Sequence, residues 1–198
     1  MSNISSSTSD EEYANIFDWY TDHSNHENMI SDNIIEIIKN KENNYLLDIG
    51  AGNGYITTKI SKYFKHTTIL EPNLKHKINY DAIDNKEVHH NFFSDFETKD
   101  KYNLILCSHV LYYIDVEEWN DFFTKILKML NSGGICIVIF VSDRGEYSDF
   151  LRELNENYKN STAIIKVLNG LNLRYLQKEF STELKSTMDE ENKFEQLI

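Results

Sequence analysis

The chain has 198 residues, 40% of them hydrophobic and 26% charged, the proportions of one globular domain rather than of a disordered chain. Acidic residues outnumber basic ones 32 to 20, for a formal charge of −12. That balance lacks the basic footprint of a nucleic-acid binder and disfavours an anionic membrane surface. The expected partners are small molecules, cationic ones above all.

The longest apolar run, residues 135–141, is far short of the ~20 residues a membrane-spanning helix needs. Residues 1–12 are Ser-rich and acidic, without the basic start and apolar segment of a signal peptide. Cys107 and Cys136 stand in apolar runs without metal-ligand spacing, so they read as buried, reduced thiols of a cytoplasmic protein, and no metal site is expected.

Residues 1–10 read as a disordered arm. Residues 11–44 read as helical, with Tyr13, Phe17 and Tyr20 on one face and Ile30, Ile34, Ile35, Ile37 and Ile38 in a second helix. A buried strand over 45–48 runs into Ile49-Gly50-Ala51-Gly52-Asn53-Gly54, and the next helix carries Ile56, Ile60 and Phe64. A second strand, 67–70, closes on Glu71-Pro72, and Asn73 suits the N-cap of a further helix. Residues 87–93 form a polar, edge-type third strand and 102–107 an apolar fourth. An amphipathic helix over 116–130 stops at Asn131-Ser132-Gly133-Gly134, and the most apolar strand, 135–141, follows. Helices over 147–158 and 162–169, a sixth strand over 173–181 and an acidic tail over 188–198 complete the reading. Strands alternating with helices predict an α/β, doubly wound, Rossmann-like sheet, mostly parallel and of about six strands. Helices cover both faces, and a helical segment precedes the sheet.

Three of the seven glycines fall within five residues, between a strand and a helix, where their missing β-carbons permit a tight turn and close approach of a ligand. Glu71 ends the next strand 21 positions after Gly50, where a doubly wound fold uses an acid to hold ribose hydroxyls. A dinucleotide fingerprint requires a third small residue at position 55 or 57, and Tyr55 and Thr57 stand there instead. Gly-x-Gly-x-Gly suits a nucleoside without a pyrophosphate.

Leu47-Asp48-Ile49-Gly50-Ala51-Gly52-Asn53-Gly54 followed by Leu70-Glu71-Pro72-Asn73 resembles the first two motifs of the class I S-adenosylmethionine-dependent methyltransferases. Asn91-Phe92-Phe93-Ser94-Asp95-Phe96 resembles their adenine-contacting loop, and the stretch from Leu104 through Ser108-His109-Val110-Leu111-Tyr112-Tyr113 their fourth motif. The resemblance implies S-adenosylmethionine as cofactor, held by Asp48, Gly50, Gly52, Gly54, Glu71, Asp95, Phe96 and Ser108. In that scheme Glu71 takes the ribose hydroxyls, Asp95 the adenine amino group and Phe96 the ring. It divides a single methyltransferase domain, 11–187, into a helical acceptor-site cap, 11–44, and a cofactor core, 45–142.

Outside these motifs the chain is similar to histamine N-methyltransferase and its small-molecule relatives, through Tyr13-x-x-x-Phe17-x-x-Tyr20-x-x-His23-Ser24, Val110-Leu111-Tyr112-Tyr113, Phe122-Phe123 and Leu168-x-x-Leu171-x-Leu173-x-Tyr175. That similarity implies methyl transfer to a small amine, with His109 and Tyr112 catalytic and Tyr13, Phe17, Tyr20, His26, His109 and Tyr113 lining the acceptor site. At positions 26 and 109 the family pattern has an acid and an amide; here both are histidine. The alternatives are O-methylation of a small carboxylate or hydroxyl, and a catalytically silent cofactor-binding module that regulates a partner. The family's sheet continues past its sixth strand, so a homodimer or second subunit is expected to cover the open edge.

Overall fold

A computed structural model of the chain describes residues 24–73, 80–144 and 159–182. Tyr13, Phe17 and Tyr20, the helix expected after Asn73, the helix expected over 147–158, the N-terminal arm and the acidic tail lie outside the described residues.

The chain divides into two compact units, and the larger runs from Ile38 to Glu179. The smaller holds most of α1 (His26–Ile38), which buries Ile30 and Ile34 one turn apart and exposes Ile37, as their helical spacing requires. The larger unit carries β1 (Tyr45–Ile49), α2 (Tyr55–Ser61), β2 (His66–Leu70), β3 (Lys86–His89) and β4 (Tyr102–Ser108). It continues through α3 (Trp119–Met129), β5 (Leu130–Ile139) and α4 (Ser161–Gly170). All four strand pairings are parallel, in the order β3-β2-β1-β4-β5. A parallel sheet is covered on both faces, which accounts for the unbroken apolar runs: Leu46, Leu47 and Ile49 of β1 and Leu104 through Cys107 of β4 are all buried.

The sheet has five strands where about six were expected. Residues 173–181 belong to no ladder, and Leu176 is fully exposed. An extended, β-prone segment becomes a strand only where another backbone pairs with it, and propensity does not supply that partner. β5, the most apolar strand, is accordingly an edge strand: its outer side pairs with no strand among the described residues, and none of its residues is fully buried. β5 also starts earlier than expected, at Leu130. The Asn131-Ser132-Gly133-Gly134 turn is absorbed as a register shift between the pairs Tyr102↔Leu130 and Leu104↔Ile135, with Gly133 at φ +75°. The third strand ends at His89, and residues 93–95 turn into a short 3₁₀ helix.

α3 buries Trp119, Phe122, Phe123, Ile126 and Met129, a stripe at helical spacing. They join Leu47, Ile49, Ile105 and Cys107 in the main core. Trp119 is wholly buried, and its indole N–H donates to the Ile114 carbonyl at 3.1 Å, so this ring fills the core and fixes the turn after β4 at the same time. Among the described residues no helix is long and apolar enough to cross a membrane, and no cluster of His, Cys, Asp and Glu could hold a metal ion.

Among the described residues Trp119→Ala removes the largest buried side chain, and it takes away one of the two donors to that carbonyl, the other being Lys159. It is expected to cost about 3–5 kcal/mol of unfolding free energy. Urea denaturation monitored by circular dichroism checks this, and Trp119→Phe should recover most of the packing loss.

Candidate active site

Strand register builds the site. Ile49 stands opposite Leu70 on one side and Cys107 on the other, so Gly50, Glu71 and Ser108, the last residue of β4, stand at one level, side by side. Strand order reverses between β1 and β4, where open α/β sheets bind ligands beyond their carboxyl ends.

The loop after β1 is shaped by three left-handed glycines: Gly50, Gly52 and Gly54 have φ of +68°, +56° and +78°. At Gly50 a β-carbon would also come within 2.7 Å of Val110 Cγ2, and at Gly54 it would overlap the Tyr80 ring. The corresponding space at Gly52 is open. The Gly50 and Ala51 amides both donate to the Leu70 carbonyl, at 2.7 and 3.3 Å, which hangs the loop on β2.

Glu71 is 5% exposed, and its two carboxylate oxygens accept backbone N–H groups from Gly52 and Asn73, each at 2.8 Å. Asp48 is buried and accepts the Thr57 hydroxyl at 2.6 Å. Thr57, at one of the positions where a dinucleotide loop needs a small residue, therefore has a structural partner. Tyr80, in the short 3₁₀ helix Tyr80–Ala82, is 3% exposed and donates its phenol proton to the Gly52 carbonyl at 2.9 Å. Burial, with the charges of Asp48 and Glu71 nearby, pushes its pKa well above the ordinary phenol value, so it remains a donor.

After β3, Phe92 is 66% exposed, and Asp95 is exposed at the end of the 3₁₀ turn Phe93–Asp95. Phe96 is 5% exposed and lies edge-to-face with His89 at 5.1 Å, within the core. Between the two phenylalanines, Phe92 presents its ring to the rim.

At the end of β4, His109 adopts a left-handed backbone, φ +58°, and its amide donates to the Ile139 carbonyl at 3.0 Å. The ring of His109 is nearly parallel to that of Tyr112, with centroids 5.8 Å apart, and Tyr112 stacks on Phe140 at 4.2 Å. The Tyr112 hydroxyl accepts the Val141 amide at 2.9 Å, and Tyr113 is 72% exposed. Lys159 donates to the carbonyls of Tyr112 and Ile114, at 2.9 and 2.8 Å, clipping the turn from outside. His26 opens α1 in the smaller unit, half-buried, and burial lowers its pKa. Tyr80 and Lys159 carried no sequence signal beyond residue type.

With this geometry in view, the comparisons are specific. A family model described as a methyltransferase domain matches residues 22–180. The chain belongs to that methyltransferase family. Solved structures agree in fold. NodS, an N-methyltransferase from Bradyrhizobium japonicum WM9, is 19% identical, with 73% of this chain and 81% of NodS covered at a TM-score of 0.60. Its complex with S-adenosyl-L-homocysteine is 17% identical, with coverages of 72% and 73% at 0.61. A methyltransferase from Leishmania major, S-adenosylmethionine-dependent, is 16% identical, with 76% and 64% covered at 0.61. No curated protein matches the sequence significantly.

Asp48 supplies a pH test of this methyltransferase site. Burial raises its carboxyl from 3.8 to about 7, with the Thr57 hydrogen bond opposing and the Glu71 charge reinforcing the shift. Between those values the folded chain holds a proton that the unfolded chain has released, so stability falls as pH rises, by up to ~1.4 kcal/mol per pH unit. Above the folded pKa the loss levels off. Asp48→Asn is expected to flatten this slope in thermal melts between pH 5 and pH 7.5. Equal slopes in parent and variant would show that Asp48 ionises normally.

Proposed function

We propose that the chain binds S-adenosylmethionine across the β1–β4 crevice and transfers its methyl group to the nitrogen of a small amine. The observation that carries this reading is the common exit of the glycine loop, Glu71 and Ser108-His109 at one rim of the sheet. The residues fit the cofactor. Gly52 leaves open the space that a β-carbon would fill, and the Glu71 carboxylate, with one N–H on each oxygen, retains lone pairs for a vicinal diol. When bound, the cofactor supplies a methyl group activated on a cationic sulfonium. Asp95 accepts from an exocyclic amine, and Phe92 offers exposed aromatic surface while Phe96, expected beside the ring, is packed into the core. Gly50, Gly54 and Ser108 complete the cradle.

Methyl transfer to an amine is an in-line displacement, so the protein's task is alignment, exclusion of water and removal of a proton. His109 is the proton acceptor in this reading, and Tyr112, its hydroxyl engaged by Val141, keeps the imidazole ring aligned. Tyr113, exposed beside this turn, contacts the acceptor in this reading. The similarity to histamine N-methyltransferase-like segments supports an amine acceptor, and NodS is an N-methyltransferase.

Two variants test the reading. Glu71→Ala should weaken S-adenosyl-L-homocysteine binding by tenfold or more in calorimetry, the loss of charge-assisted hydrogen bonds. His109→Ala should leave that affinity nearly unchanged while lowering turnover with a panel of small amines by about 10²–10⁴. His109→Asn tolerates the same left-handed backbone but takes no proton, so it should be folded and nearly as slow. Parent-like turnover in both His109 variants would move the acceptor site away from β4.

A further inference from the structure

Gly52 occupies an unusual position in its loop: both of its polar groups are held from outside. Its amide donates to Glu71 Oε2 at 2.8 Å, and its carbonyl accepts the Tyr80 hydroxyl at 2.9 Å. Tyr80 is anchored in turn. Its side chain is 3% exposed and packs with Ile69 of β2 and with Ile83, and its ring fills the space where Gly54 would otherwise carry a β-carbon. A glycine in the left-handed region has no steric preference that would hold it there, so the orientation of its amide depends on such contacts.

We propose that Tyr80 is a positioning residue for nucleoside recognition: by holding the Gly52 carbonyl it sets the Gly52 amide against Glu71, and so fixes which carboxylate lone pairs face a ribose diol. The proposal rests on the reading of Glu71 as the ribose-binding carboxylate. Among the described residues, the other Glu71 oxygen accepts the Asn73 amide. Without the phenol, Gly52 can rotate, its amide leaves Oε2, and that oxygen turns toward the loop or solvent. Tyr80 never meets the ligand in this scheme. It acts through the two peptide groups that flank the Gly52 α-carbon and one carboxylate.

The test is calorimetric binding of S-adenosyl-L-homocysteine and of its analogue lacking the ribose 2′-hydroxyl, to the parent and to Tyr80→Phe. The phenylalanine ring preserves the packing against Gly54, and equal melting temperatures confirm it. The parent is expected to prefer the intact ligand. Tyr80→Phe should lose about three- to tenfold on the intact ligand and little on the analogue, so the preference collapses. A merely structural tyrosine would weaken both ligands equally, and that result overturns the proposal. A parent that fails to discriminate overturns the ribose reading of Glu71 and this proposal with it. Should Tyr80→Phe melt too low to titrate, amide exchange on the ligand-free parent decides. The Gly52 amide is then expected to be protected tenfold or more over its random-coil rate. Exchange at the random-coil rate overturns the proposal.

Discussion

The site depends on holding a loop that cannot hold itself. Three left-handed glycines in five residues give the chain after β1 more conformational freedom to lose than any other stretch of equal length. Besides its own turn bond from the Gly54 amide to the Ala51 carbonyl, the loop is restrained from outside by the Leu70 carbonyl, the Glu71 carboxylate, the Tyr80 phenol and the Val110 side chain. These groups reach the loop because β2 and β4 flank β1 in a register that ends all three strands together. The loop's shape is therefore a property of the whole parallel sheet, and the glycines only make that shape sterically admissible.

The opposite wall of the crevice carries strain rather than freedom. His109 sits in the left-handed region, where most side chains clash with the backbone and where His, Asn and Asp are tolerated best. Histidine is thus compatible with this backbone, and its imidazole is a group that can take up a proton. The turn that follows is tied down by the Ile139 carbonyl, the Tyr112–Val141 hydrogen bond and the two Lys159 contacts, which together offset the strain. Strain kept in this way at the carboxyl edge of a central strand is what a pre-aligned reacting group requires.

Much of this was legible in the sequence. Buried parallel strands write apolar runs, so β1 and β4 were readable; β2, His-Thr-Thr-Ile-Leu, is less apolar and was marked by its close on Glu71-Pro72. The edges were less readable. β3 is short and polar, as an edge strand can be. Residues 173–181 have a composition that suits extension, but among the described residues no backbone pairs with them, and β5, the most apolar strand of the sequence, has a ladder on one side only. The turn at 131–134 was read as a helix stop, and it is also the bulge by which β5 corrects its register to β4. Phe92 and Phe96 show the same limit at the scale of one side chain. Four residues apart in an irregular stretch, they have no period to say which faces the core.

The residues that escaped the sequence reading share a physical trait. Tyr80, Lys159 and Trp119 each donate a hydrogen bond to a backbone carbonyl with which no sequence pattern pairs them: Gly52, Tyr112 with Ile114, and Ile114. A group that faces a ligand must match that ligand's chemistry, so a diol or a purine amine selects a carboxylate and a labile proton selects a base. Such types at such places can be anticipated. A group that holds the backbone needs only a donor, and every residue supplies the carbonyl it seeks. Nothing in the spacing of Tyr80 announces Gly52 as its partner, because the distance between them is set by the packing of β2 against β1 and by the turn at Tyr80–Ala82. Ligand chemistry leaves its mark on the sequence as residue type. The scaffold that aims those residues leaves its mark only in the fold.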